Sequence, residues 1–136
     1  MGERKEEREG DKAEEKILFK ELSYEIVSAA IQVWKTLGYG FLEKVYENSM
    51  AIELGKRGVA FQQQKPVKVF YDEQLVGDYY ADLMVDGKVI LELKCAKAVD
   101  NAHIAQTLNY LKATGIRLGL ILNFGPEKME FKRVIL

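Results

Sequence analysis

Asp82 and, ten residues later, the run Glu92-Leu93-Lys94 combine two carboxylates with an ammonium in a stretch of strand-like sequence. Metal-assisted cleavage of a phosphodiester needs these groups. Hard oxygens hold Mg²⁺ or Mn²⁺ while leaving positions open to water and phosphate. A nearby ammonium orients the attacking water or stabilises the charge that builds on the transferring phosphoryl group. On one strand Ile90, Glu92 and Lys94 share a face, and Val89, Leu91 and Leu93 share the other. The second face is wholly apolar and should meet the core, so two charges on the first need a reason to be there. Asp82 joins them only if the hairpin pairs residues whose numbers sum to an even value. A two-residue turn at Asp86-Gly87 puts it on the wrong face, whereas a three-residue turn pairing Met84 with Lys88 puts it on the right one. Taken alone, the spacing also fits an exposed, salt-bridged sheet face.

Two further groups of polar residues stand out. Gly40-Phe41-Leu42-Glu43-Lys44-Val45-Tyr46 opens a helix, and places Glu43 and Tyr46 three apart on one face near the positive helix N-terminus. His103, Gln106 and Tyr110 recur at steps of three and four and form one polar stripe of a later helix. Each group in isolation also reads as an ordinary helix start or a partly solvated helix face. His103 is the sole histidine, which excludes a histidine-based zinc site. Cys95 is the sole cysteine and reads as a small strand-end residue, not a nucleophile. Trp34 and Phe41 read as packing residues.

The elements that must position these groups follow from periodicity. Apolar residues from Leu18 to Leu37 recur at helical spacing, and Gly38 supplies a C-cap. A second helix is expected from Leu42 to Arg57. Strands are expected over 66–71, 75–85 and 88–94, with turns at Asp72-Glu73 and Asp86-Gly87. Asn101 is read as the N-cap of a helix running to Ala113. Arg117 to Phe124 reads as a buried strand and Phe131 to Leu136 as an edge strand. The order α-α-β-β-β-α-β-β describes an α/β sandwich, a central mixed sheet flanked by helices. Residues 1–17 lack apolar periodicity and read as a charged disordered tail or a frayed helical extension, with a single domain over 18–136.

A chain of 136 residues suits one domain. No apolar run approaches the length of a membrane span, and the charged N-terminus has no signal core. With the single cysteine, these features point to a reducing cytoplasm. The net charge of −1 is unhelpful to phosphate binding. The first sixteen residues carry seven acids against five bases, however, which leaves the remainder at +1.

Together, Gly40–Glu43–Tyr46, Asp82, Glu92-Leu93-Lys94, His103-Ile104-Ala105-Gln106 through Asn109-Tyr110-Leu111-Lys112, and Leu122-Asn123-Phe124-Gly125 resemble the GxxExxY protein family, a branch of the PD-(D/E)XK nuclease-like superfamily. The resemblance runs from about Leu18 to Leu136, and Gln106-x-x-x-Tyr110 is also similar to the Q-x-x-x-Y motif of RecB-type nucleases. It implies a restriction-endonuclease-like fold and hydrolysis of nucleic acid, DNA in preference to RNA, with Mg²⁺ or Mn²⁺ as cofactor. Asp82 and Glu92 resemble the metal-binding acids, with the Leu93 carbonyl as a further ligand and Glu43 completing the acidic cluster. Lys94 resembles the lysine beside the nucleophilic water. Gln106 and Tyr110, with His103 and Tyr46, are expected to steady the site or touch the strand. Ala81 replaces the proline of the first motif, a position that makes no metal contact. Converging carboxylates without a metal should raise at least one pKa. A homodimer is compatible with so small a domain. The alternative reading is a catalytically inactive nucleic-acid-binding or regulatory module of the same fold.

Overall fold

In the computed structural model, backbone is described for residues 2–136 and side chains for residues 19–136. The tail expected over 1–17 lies outside the fully described residues. The elements are α1 (Gly2–Leu37), α2 (Glu43–Lys56), β1 (Phe61–Tyr71), β2 (Gln74–Val85), β3 (Val89–Lys94), α3 (Asn101–Thr114), β4 (Leu118–Phe124) and β5 (Met129–Ile135). The strands form one five-stranded sheet in the order β1-β2-β3-β4-β5. Only β3 and β4 are parallel, and α3 is the crossover between them. The sheet is therefore mixed, as the element order predicts.

Strand periodicity separates two apolar layers. Leu83, Val85, Val89, Leu91, Leu93, Leu118, Leu120 and Leu122 pack with Ile26, Ala29, Ala30, Met50 and Leu54 of α1 and α2. Met84, Ile90, Ile121 and Val134 pack on the other side with Tyr110 and Leu111 of α3. Every residue of β4 is buried, which accounts for its nearly unbroken apolar run. Gly119 lets α3 approach closely, because a Cβ at that position would lie 2.6 Å from a methyl of Thr107. That close approach brings Tyr110 down onto the sheet.

Most boundaries lie within a residue of expectation, and three differences have a physical reason. β1 begins at Phe61 and not at 66, because backbone pairing with Leu83–Val85 extends it through a glutamine run that has no strand signature. β5 begins at Met129, two residues early. Asn101 is the first helical residue, not the cap of α3. Asp100 caps instead: its carboxylate accepts the His103 N–H at 3.1 Å, and His103 Nδ1 accepts the Asp100 N–H at 3.3 Å. An acceptor side chain three residues inside the helix closes this reciprocal pair, and Asp100 has one where Asn101 does not.

Candidate active site

The sheet opens at one point, and the two acids stand there. The β2–β3 ladder pairs Val85 with Val89, Met84 with Ile90 and Leu83 with Leu91, and then stops. Beyond that point β3 stays with β4 as far as Lys94↔Asn123, while β2 stays with β1. At the parting, side chains replace the missing ladder bonds. The Leu93 N–H donates to Asp82 Oδ2 at 2.7 Å, and the Asp82 N–H donates to Glu92 Oε2 at 3.0 Å. The pair sums are even, as a shared face requires. Asp86 and Gly87 form the turn at φ 52° and 64°, closed by Lys88 N–H to the Val85 carbonyl at 2.9 Å. Lys88 is then the extra residue that sets the parity, one position along from the expected Met84–Lys88 pairing.

Asp82 also marks a change of hand in β2. Ala81 packs toward α3, as does the ring of Tyr79, whereas Leu83 and Val85 pack toward α1 and α2. Across from Asp82, between the Gln63↔Leu83 and Lys65↔Ala81 pairs, Gln64 has φ 54°. A left-handed non-glycine residue carries strain that its surroundings must hold. Here Glu47 supplies that hold. It is buried at 4% exposure and accepts from Gln64 Nε2 at 2.8 Å, Gln63 Nε2 at 2.7 Å and Lys44 Nζ at 3.0 Å.

Burial dominates the electrostatics. It pushes the Glu92 carboxyl up to about 8, with the Asp82 charge adding to the rise and Lys94 opposing it. Burial likewise raises Asp82, against the Leu93 N–H bond and Lys94, while Glu47 and Glu43 reinforce the rise. The second oxygens, Asp82 Oδ1 and Glu92 Oε1, accept no hydrogen bond from the described residues. Two half-desolvated carboxylates with a free oxygen each form a donor set that fits a hard divalent cation, which commonly takes one or two carboxylates and completes its shell with water and phosphate.

The other expected residues divide. Lys94, on the Glu92 face of β3, lies close enough to lower both carboxyls and forms no ion pair among the described residues. The Leu93 side chain is in the core, and its N–H points to β2. In an extended strand its carbonyl points to the same edge, into the opening. Tyr110 is buried on α3; its hydroxyl accepts from Gln106 Nε2 at 3.3 Å, and burial plus the charges of Glu92 and Asp82 raise its pKa. Glu43 starts α2, is solvent-exposed, and repels Asp82 and Glu92 from outside the pair. Among the described residues no group of three acidic, histidine or cysteine side chains gathers at one ion position, and Glu43 reaches the two acids from the first turn of α2 through its charge.

Tyr46 has another task than the expected substrate contact. It is fully buried, stacks on Phe124 at 4.5 Å, and its hydroxyl donates to the Gly38 carbonyl at 2.5 Å. It thereby fastens the α1–α2 turn. The His103 ring is engaged in the α3 cap through Nδ1. Burial, then the Glu43 charge, raises the Cys95 thiol to about 11, so it is no nucleophile at neutral pH.

Two residues that matter here are given no role by the sequence, although one of them, Asn123, lies in the Leu122-Asn123-Phe124-Gly125 stretch. Fully buried Asn123 accepts the Ala96 N–H at 2.8 Å and donates to the Ala96 carbonyl at 2.9 Å, which fixes the chain leaving β3. Glu47 is the other, one helical turn beyond Glu43 and on the buried side. Glu47→Ala is expected to lower stability by about 1–3 kcal/mol, the usual cost of removing a buried acceptor, and Glu47→Gln by less. Urea denaturation measures both, and an unchanged midpoint in Glu47→Ala would remove its structural role.

Comparison with known proteins agrees with this architecture. The crystal structure of SSO0001 superposes with a TM-score of 0.53 at 11% identity, covering 68% of this chain and 48% of that one. An alkaline exonuclease (LHK-Exo) from Laribacter hongkongensis superposes with a TM-score of 0.51 at 11% identity, covering 68% and 55%. The chain thus spans about half the length of these neighbours, and at such identity the likeness establishes the fold alone. No curated protein sequence matches the chain. Among the described residues no helix is long and apolar enough to cross a membrane. A family model described as the PD-(D/E)XK nuclease superfamily matches residues 20–134, nearly the whole chain. With the acids at a parted β2–β3 ladder and the lysine beside them, the chain belongs to the PD-(D/E)XK nuclease superfamily.

Proposed function

We propose that this protein is a divalent-metal-dependent nuclease that hydrolyses phosphodiester bonds of DNA at Asp82, Glu92 and Lys94. The observation that carries the reading is the parting of β2 from β3, which leaves the buried Glu92 and partly buried Asp82 carboxylates side by side, next to an ammonium with no ion-pair partner among the described residues. A structural ion pair would engage the lysine, and a structural sheet would keep its ladder.

Asp82 and Glu92 would hold Mg²⁺ or Mn²⁺, with the Leu93 carbonyl aimed at the same opening. When bound, the cation supplies Lewis acidity and neutralises charge on the phosphate. The backbone N–H groups of Leu93 and Asp82 fix one oxygen of each carboxylate, so the other oxygens keep one orientation. Lys94 places its ammonium on the Glu92 side of the opening, where it orients the attacking water and stabilises developing negative charge. Tyr110, held by Gln106, borders the same space from α3. Glu43 stands at the mouth as an exposed acid.

The reading predicts cleavage of single-stranded, duplex or branched DNA in Mg²⁺ or Mn²⁺, and none in EDTA. Gel assays on all three, with an RNA control, measure it. If the wild type cuts none of the DNA substrates, the reading fails.

A further inference from the structure

The β1–β2 hairpin is longer than the sheet needs. Of β2, only Leu83–Val85 pair with β3, so β1 from Lys65 and β2 up to Ala81 form a two-stranded ribbon. Such a ribbon is marginal on its own and gains by covering something. It exposes Phe70 at 59% and Tyr79 at 50%. Between it and the outer face of α3 lies a groove of about 990 Å³. Lys68, Phe70 and Tyr79 line it from the ribbon, and Gln106, Asn109 and Lys112 from α3. No carboxylate of the described residues lines it.

Tyr110 connects the groove to the acids: it lines the groove, the charges of Glu92 and Asp82 act on its hydroxyl, and its ring lies 5.9 Å from that of Tyr79. Gly77 leaves the space that the Tyr79 ring occupies, since a Cβ there would lie 2.8 Å from it. Lys68 pairs with Asp78 at 3.4 Å, but both are about half exposed, so the pair is weak and exchanges readily for another anion. Aromatic faces, ammonium groups and side-chain amides together match unstacked bases on a phosphate backbone. A duplex hides its base faces and could not use the aromatic walls.

We propose that this groove binds single-stranded DNA, with bases on Phe70 and Tyr79 and phosphates against Lys68 and Lys112, and leads the strand past Tyr110 to Asp82 and Glu92. The choice of DNA, and the destination of the strand, rest on the active-site reading above; the groove itself does not.

The test is fluorescence anisotropy of labelled oligo(dT) on the full chain in EDTA, so that binding is read apart from cleavage. Phe70→Ala should weaken binding about tenfold or more, since base–aromatic stacking has that size. Lys112→Ala should weaken it and reduce the slope of log affinity against log salt by about 1. Unlabelled duplex and oligo(U) of equal length should compete poorly. Both positions are exposed, and melting curves check the fold. If Phe70→Ala fails to fold, the salt slope of Lys112→Ala still decides. Absence of binding, variants that bind like wild type, or equal competition by duplex or oligo(U) would overturn the proposal. So would a wild-type dimer in sedimentation that Phe70→Ala dissociates, because a second copy would then fill the groove. Groove-dependent binding without cleavage in Mg²⁺ would sink the nuclease reading and leave the groove standing. Cleavage indifferent to both groove variants would do the reverse.

Discussion

Lys94→Ala is expected to lower DNA cleavage by ~10²–10³-fold while leaving metal affinity near that of the wild type. That range is typical for loss of one preorganised charge at a reacting centre. The geometry separates Lys94 from the acids: it touches neither carboxylate in a hydrogen bond, yet its charge reaches both. Asp82→Ala is expected to abolish cleavage by a different route, since it removes a metal oxygen and also frees the Leu93 N–H. Single-turnover rates, measured beside metal affinity, distinguish the two. Should Lys94→Ala cut as fast as wild type, its catalytic role is gone even if the metal site remains.

The second large effect is on stability, and its sign follows from Glu92. The folded protein holds this carboxyl at about 8, against 4.5 for the free group. A raised carboxyl binds a proton that the unfolded chain releases, so its contribution is complete below 4.5 and is lost as pH rises through about 8. Asp82 shifts in the same direction and adds to the loss. The metal-free protein should therefore melt at progressively lower temperature across this window. Glu92→Gln, which keeps an acceptor for the Asp82 N–H, should flatten the decline. Mg²⁺ at pH 8 should raise the melting temperature of the wild type by binding the folded state preferentially. Thermal melts in EDTA and in Mg²⁺ read all three. A flat profile in EDTA would mean that Glu92 ionises in place without cost.

Most of the fold is legible because its elements bury faces of regular period. The apolar run of β4, the Gly38 and Gly115 helix ends and the alternation through β3 all state their surroundings locally. The parity of the β2–β3 hairpin is permitted but not demanded by the sequence, since Asp86-Gly87 suits both a two-residue turn and the odd loop that brings Asp82 to the face of Glu92 and Lys94. What is not legible depends on contacts between distant segments. Gln62-Gln63-Gln64 extends β1 only because Leu83–Val85 pair with it and Glu47 holds its side chains. Glu43 and Glu47 look alike in sequence, both acids near the start of one helix, and only the packing of α2 turns Glu47 inward and leaves Glu43 outside. Tyr46 shares a face with Glu43 by spacing, yet the stacked ring of Phe124 and the Gly38 carbonyl claim it. Nor does spacing reveal that β2 leaves β3 at Asp82, the feature that creates the site.

The central claim is that Asp82 and Glu92 together hold a divalent cation, and isothermal titration of the metal-free protein with Mn²⁺ and Mg²⁺ tests it most directly. The account predicts saturable binding by the wild type, binding retained in Lys94→Ala, and binding lost in Asp82→Ala and reduced in Glu92→Gln. Titrations of wild type and Asp82→Ala that superimpose, with both variants folded, would contradict it.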